Sequence, residues 1–287
     1  MKMTPLQRQK TSANSLRVFK ASIIMMILVM IIFLTYACMG TQNQLLSDAE
    51  KIEFLQYTVP EDDATVVIFE TTLGTMKAVL FEDQAPKYCK YFEELVTSGY
   101  YDDTYYFYVE DKQNAYSFGG AKAPDGADTD DTDKDMLEPE KSTYLWPFRG
   151  ALCTYGREKG IINKRNTTGS RVIFVNSIDF DEDTTAQMRE LDANEKLVEY
   201  FIERGGVPNF SQQFTIFGQV YDGIDVLEAI NSVEVDDDNK PVSDVKIITA
   251  KLSTYGENRA ENEKEVFPES FRNADDDASS ADADSAE

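Results

Sequence analysis

Asn166-Thr167-Thr168-Gly169-Ser170-Arg171-Val172-Ile173-Phe174 and Phe214-Thr215-Ile216-Phe217-Gly218-Gln219-Val220 are the stretches that decide the fold. Each joins a turn or loop to a short apolar run rich in β-branched and aromatic residues, the pattern of a strand buried on entry. Between them, Asp183 to Arg204 shows helical spacing, with Met188, Leu191, Val198, Phe201 and Ile202 on one stripe, and Gly205-Gly206 ends it.

Working outward, Thr65 to Glu70 and Thr75 to Phe81 are strand-like and join across Leu73-Gly74 as a hairpin. Pro86 suits the first turn of a helix whose apolar face is Tyr88, Cys89, Phe92, Leu95 and Val96, and Gly99 ends it. Thr104 to Val109 is a strand dense in Tyr and Phe. Ala121 to Lys141 is a loop, Gly150 to Thr154 a strand, and Arg157 to Thr168 a loop again. A helix over Ile224 to Asn231 and a strand over Asp244 to Ser253 close the body. The strands are short and lack regular βαβ alternation, which predicts a mainly β domain: a closed or strongly bent antiparallel sheet capped by helices.

Charge is uneven along the 287 residues. The formal net charge is −24, yet five of the 28 basic residues precede Asp48 and no acidic residue does, so 23 basic face 52 acidic residues from Asp48 onward. Such an acidic body is a poor partner for nucleic acid, whose phosphates need Lys and Arg. The chain has no histidine, which removes Ser-His-Asp and Cys-His catalysis, His-ligated zinc and a His base. Cys38, Cys89 and Cys153 form no CxxC, and the last two read as buried free thiols.

Residues 1–20 form a basic leader on the cytoplasmic side. Ala21 to Met39, 19 uncharged and largely apolar residues, would span about 28 Å as a helix, close to the ~30 Å of a bilayer core. Residues 21–40 are therefore a membrane anchor or a lipoprotein signal, and the positive-inside rule puts the body outside the cytoplasm. Leu34-Thr35-Tyr36-Ala37-Cys38 resembles a bacterial lipobox, with leucine four rather than three residues before the cysteine, so Cys38 is a lipidation candidate. Residues 41–63 read as a stalk, 64–256 as the folded domain with a helical insertion at about 179–208, and 257–287 as a disordered acidic tail. Asp125, Asp128, Asp130, Asp131, Asp133 and Asp135 crowd one loop but lack the glycine a calcium loop needs at its sharp turn, so a solvated loop is expected there.

From Val66 to Leu252 the order of motifs resembles the cyclophilin family of peptidyl-prolyl cis-trans isomerases. The pieces are Glu70 to Lys77, Leu80-Phe81-Glu82-Asp83-Gln84-Ala85-Pro86-Lys87, Ser98 to Thr104, Gly119-Gly120, Arg149-Gly150-Ala151-Leu152, Asn166 to Ser170, and Phe217 to Leu227. The resemblance implies an eight-stranded antiparallel barrel capped by two helices, here with one extra inserted helix. It also implies rotation about an X–Pro bond against an ~18–20 kcal/mol barrier set by amide resonance. That chemistry needs an apolar proline pocket and a donor to the prolyl nitrogen, with no metal or cofactor. The partners implied are proline-containing peptides or unfolded extracytoplasmic proteins, bound by a monomer.

The family's groove residues carry over with changed identities. Its Phe-His-Arg-Val strand falls on Tyr106-Phe107-Tyr108-Val109, so Tyr108 stands at the arginine position. Its groove glutamine becomes Phe118, and Met-Ala-Asn becomes Thr154-Tyr155-Gly156. Arg171 and Ile173 replace glutamine and the second phenylalanine, Asn209-Phe210 replaces Trp-Leu, and Phe214 replaces histidine. One reading keeps the enzyme, with Arg171 reaching into the groove and Ile173, Phe210 and Phe214 forming the proline pocket. A second makes the aromatics Tyr105, Tyr106, Tyr108, Tyr155 and Phe118 a non-catalytic peptide-binding groove, with barrel core as the alternative for Tyr105, Tyr106 and Phe107. A third, an acidic calcium-dependent surface protein, rests on the Asp-rich loop and tail.

Overall fold

A computed structural model describes residues 54–127, 137–159, 165–191 and 193–268. The leader, Ala21–Met39 with Cys38, Asp128–Asp135 and the end of the acidic tail lie outside them. Eight strands form the barrel: β1 (Thr65–Thr71), β2 (Gly74–Leu80), β3 (Thr104–Val109), β4 (Tyr116–Ala121), β5 (Ala151–Lys159), β6 (Arg165–Val175), β7 (Ile216–Asp222) and β8 (Val245–Thr254). They close in the order β1-β2-β7-β5-β6-β4-β3-β8, with every pair antiparallel. Closure leaves no unpaired edge.

The β1–β2 hairpin turns at Thr72-Leu73, where Thr71 Oγ1 donates to the Gly74 carbonyl at 2.7 Å and accepts from Leu73 N at 3.1 Å. Inward-facing Val67, Phe69, Met76, Ala78, Val172 and Phe174 fill the barrel. Two helices cap it: α1 (Pro86–Thr97) with Tyr88, Cys89, Phe92 and Val96, and a helix over Ile224–Asn231 with Leu227 and Ile230. Helix α1 ends as expected. Gly99, at φ 72°, donates to the Val96 carbonyl and Tyr100 N to that of Leu95, a Schellman closure. Its start lacks a local cap, and the carboxylate of Glu140 supplies one, accepting from Lys87 N at 3.1 Å and Tyr88 N at 2.9 Å.

Tyrosines fix the middle of β6. Tyr88 donates to the Gly169 carbonyl at 2.9 Å and Tyr101 to that of Ser170 at 2.6 Å. Strand β4 is held by close packing: a Cβ on Gly119 would lie 2.9 Å from the Phe174 ring and 3.2 Å from that of Tyr106. Only glycine admits that approach.

Four expectations change. The single helix over Asp183–Arg204 is two, α2 (Glu182–Arg189) and α3 (Glu195–Arg204), because Asp181 and Asn194 each cap a helix of their own, accepting from Thr184 N at 2.7 Å and Leu197 N at 3.1 Å. Only α3 buries residues, so Met188 and the exposed Leu191 do not join a core stripe. Among the described residues the next helices in chain order are α4 (Ile224–Asn231) and α5 (Glu263–Val266). Residues 157–159 and 165–168, expected as loop, continue the β5–β6 ladder, with Lys159 opposite Arg165. Residues 54–63 are not stalk. Phe54 stacks on Tyr200 at 4.0 Å, and buried Gln56 donates to the Trp146 carbonyl (2.8 Å) and Gln219 Oε1 (2.7 Å) while accepting from Trp146 N (2.7 Å). Nor is the whole of 257–287 tail, since Ala260 and Phe267 are buried against Tyr221 and Tyr255.

Gln56→Ala leaves the Trp146 N–H without its acceptor in a buried site and takes one of two donors from the Trp146 carbonyl, which keeps Phe148 N. Urea unfolding should show a loss of about 2–3 kcal/mol. A change within about 0.5 kcal/mol, normal for an exposed stalk residue, would contradict this packing.

Candidate functional site

Alternation along β6 sends Val172 and Phe174 inward and Arg171, Ile173 and Val175 outward. On the outer face the registers align one transverse row: Tyr108 opposite Phe118, Phe118 opposite Ile173, Ile173 opposite Cys153, Cys153 opposite Ile216. Aromatic side chains build a stripe on this row. Tyr108 stacks on Phe118 at 4.8 Å and 21° and lies nearly parallel to Tyr116 at 6.0 Å. Tyr116 packs on Phe210 at 4.9 Å, and Phe210 meets Phe214 edge-on at 5.0 Å. On the other side Phe118 meets Tyr155 at 4.8 Å, with Phe107 against both. All these rings are half-buried.

Arg171 lies at the Phe107 end. Its guanidinium sits 5.2 Å from the Phe107 ring centroid and donates to the Gly126 carbonyl, leaving the residue 8% exposed. Ile173, Phe210 and Phe214 belong to one apolar cluster, as a proline pocket requires. Gly156 sits at the bulge of β5 opposite Thr168. Asn209 is exposed, and its carbonyl accepts from the Gln213 side chain. Tyr108 turns its hydroxyl toward Asn239 Nδ2, 3.4 Å away. The Tyr116 phenol is pushed up by burial, then by the charge and hydrogen bond of Tyr108, so it stays neutral and able to donate at pH 7.

Two expected groove members stand elsewhere. Tyr106 is 1% exposed and lies inside the barrel against Phe174 at 5.0 Å. Tyr105 pairs with Lys246, whose ammonium lies 4.5 Å from its ring centroid. A register shift between Tyr106 and Tyr108 breaks strict alternation, which is why Phe107 and Tyr108 both reach the groove. Tyr116 was missed, although its spacing of two from Phe118 was a signal. Among the described residues no group of three or more His, Cys, Asp or Glu is placed to hold a metal ion.

The family model for cyclophilin type peptidyl-prolyl cis-trans isomerase/CLD matches residues 66–252, about two thirds of the chain. The chain belongs to this family. A Staphylococcus epidermidis protein named as a peptidyl-prolyl cis-trans isomerase is 30% identical over 188 residues, 65% of this chain and 91% of that protein. A Staphylococcus aureus protein of the same name is 29% identical, covering 63% and 88%. A crystal structure of a Cryptosporidium parvum cyclophilin type isomerase superposes with a TM-score of 0.50 at 23% identity, over 67% of this chain and 98% of that one, a likeness of fold. In this cyclophilin domain the stripe lies on the outer face of β3, β4, β5 and β6.

Cys153 lies fully buried beneath the stripe and Cys89 on the buried face of α1, both free, and burial pushes both thiols far up. In a Cys38→Ser chain at pH 8, Ellman's reagent should therefore label neither thiol until denaturant is added. Labelling of Cys153 in the native chain would mean that the groove floor is open.

Proposed function

We propose that the chain is a peptidyl-prolyl cis-trans isomerase that assists folding outside the cytoplasm, held at the membrane by residues 21–40. The observation that carries the catalytic part is the continuous aromatic stripe from Arg171 to Phe214, which brings Ile173, Phe210 and Phe214 into one apolar cluster beside half-buried rings. Such a surface takes the proline ring out of water, and twisting the bond then needs only a donor to the prolyl nitrogen. Arg171 supplies that donor: it leaves β6 two residues before Ile173, about 6.7 Å along the strand, on a long stem. The tether is supported by the basic leader and the uncharged run after it; among the described residues no helix is long and apolar enough to cross a membrane.

A second reading has one observation behind it. Tyr108 fills the arginine position, and Arg171 is engaged by Gly126 and Phe107, so the groove could hold peptides without turning them over. Isomerisation of a Xaa-Pro peptide by wild type, Arg171→Ala and Phe118→Ala separates the two. The enzyme reading expects kcat/KM to fall about a hundredfold or more in Arg171→Ala. It expects Phe118→Ala chiefly to raise KM, by about tenfold. Unchanged turnover in Arg171→Ala removes the arginine's role, and binding without turnover in wild type selects the second reading. For the tether, membrane-fraction protein should be digested by protease added to whole cells stripped of wall; protection of the body would contradict an outward-facing domain.

A further inference from the structure

The outer-face row does not end at Ile216. Phe81 N donates to the Phe217 carbonyl at 2.9 Å, and the Phe81 side chain joins the cluster that holds Phe210 and Phe214, as does Leu55 from the segment that precedes the barrel. Beyond them a cleft of about 490 Å³ opens between residues 55–65 and the end of β2. Its apolar lining includes Leu55, Val59, Leu80 and Phe81. Its acidic lining is Glu61, Asp63, Glu82 and Asp83, all exposed, and no basic residue lines it. None of the four carboxylates is in an ion pair among the described residues, unlike neighbouring Asp62, which pairs with Arg259. Gln84 on the cleft's lining accepts from Ser142 Oγ at 2.6 Å, and the Ser142 carbonyl accepts from Gln212 at 2.9 Å, tying the cleft to the segment that carries Phe210 and Phe214.

An apolar floor with uncompensated carboxylates above it suits a side chain with a hydrocarbon stem and a cationic head. We propose that the cleft is a specificity subsite for a Lys or Arg of the peptide substrate, a few residues from the proline held on the aromatic stripe. The occupant's chemistry follows from charge complementarity, and its place follows from the continuity of the apolar row through Phe81. The inference rests on the reading above that the stripe binds proline peptides.

The test uses the full chain in detergent and fluorescent proline peptides carrying Lys, Ala or Glu at successive flanking positions, with binding read by anisotropy and turnover measured separately. At one flanking position the Lys peptide should bind about tenfold tighter than its Ala counterpart and the Glu peptide more weakly, since several exposed contacts of up to about 1 kcal/mol combine. The preference should shrink at 1 M salt, where the Debye length is about 3 Å. Glu61→Gln/Asp63→Asn/Glu82→Gln/Asp83→Asn should abolish it while the Ala peptide binds as before. Glu190→Gln/Asp225→Asn/Asp237→Asn/Asp244→Asn removes the same charge at exposed sites away from the cleft and should leave it intact. A lysine preference that survives the cleft variant, or that falls equally in both variants, overturns the subsite. Lysine preference in binding without any turnover sinks the isomerase reading and leaves the subsite standing.

Discussion

A strand in a closed barrel has two faces and no edge, and on that constraint the rest of this structure depends. Val172 and Phe174 must fill the interior, so Arg171, Ile173 and Val175 must lie outside. The same alternation on β4 and β5 brings Phe118 and Cys153 level with Ile173. The aromatic stripe is thus built on the reverse side of the core. A one-residue slip in β6 would bury Arg171 among phenylalanines and break core and groove together. The glycine at 119 serves the same end, since the ring contacts that fill the barrel leave no space there for a side chain.

The sequence made legible what regular periodicity encodes. The β1–β2 hairpin, α1 with its glycine stop, the apolar runs of β6 and β7 and the two buried thiols all have local signals, and the order of motifs pointed to the barrel. The rest follows from contacts that periodicity does not record. Residues 54–63 hold their place through one buried glutamine, three ring contacts of Phe54 and Tyr57 with Phe148 and Tyr200, and the Asp62–Arg259 pair, all to distant segments. The break between α2 and α3 turns on Asn194, a weak signal inside an otherwise helical spacing. In the groove, alternation alone predicts that Tyr106 and Tyr108 share a face, and the bulge in β3 separates them. That Arg171 and Ile173 share the outer face with Phe210 and Phe214 was legible from the motif order; the partners of Arg171, the Phe107 face and the Gly126 carbonyl, were not.

The substitutions in the groove share a direction. Where the family motif has arginine, glutamine and histidine, this chain has Tyr108, Phe118 and Phe214, and the stripe gains apolar, stacked area. Charge is displaced to its two ends, with Arg171 at one and the acid-lined cleft at the other. On the reading proposed above, such a surface would bind through ring contacts and place electrostatic selection at the margins, where desolvation costs least.

Cis–trans exchange in the peptide itself tests this account most directly. An X–Pro bond interconverts in tens to hundreds of seconds uncatalysed, too slowly for exchange cross-peaks at NMR mixing times of about a second. With a few per cent of the chain added to a Xaa-Pro peptide, cross-peaks linking cis and trans resonances should appear and grow with chain concentration. Peptide resonances that shift and broaden on binding, with no exchange cross-peaks even at equal concentrations, would contradict the claim that this groove turns the bond.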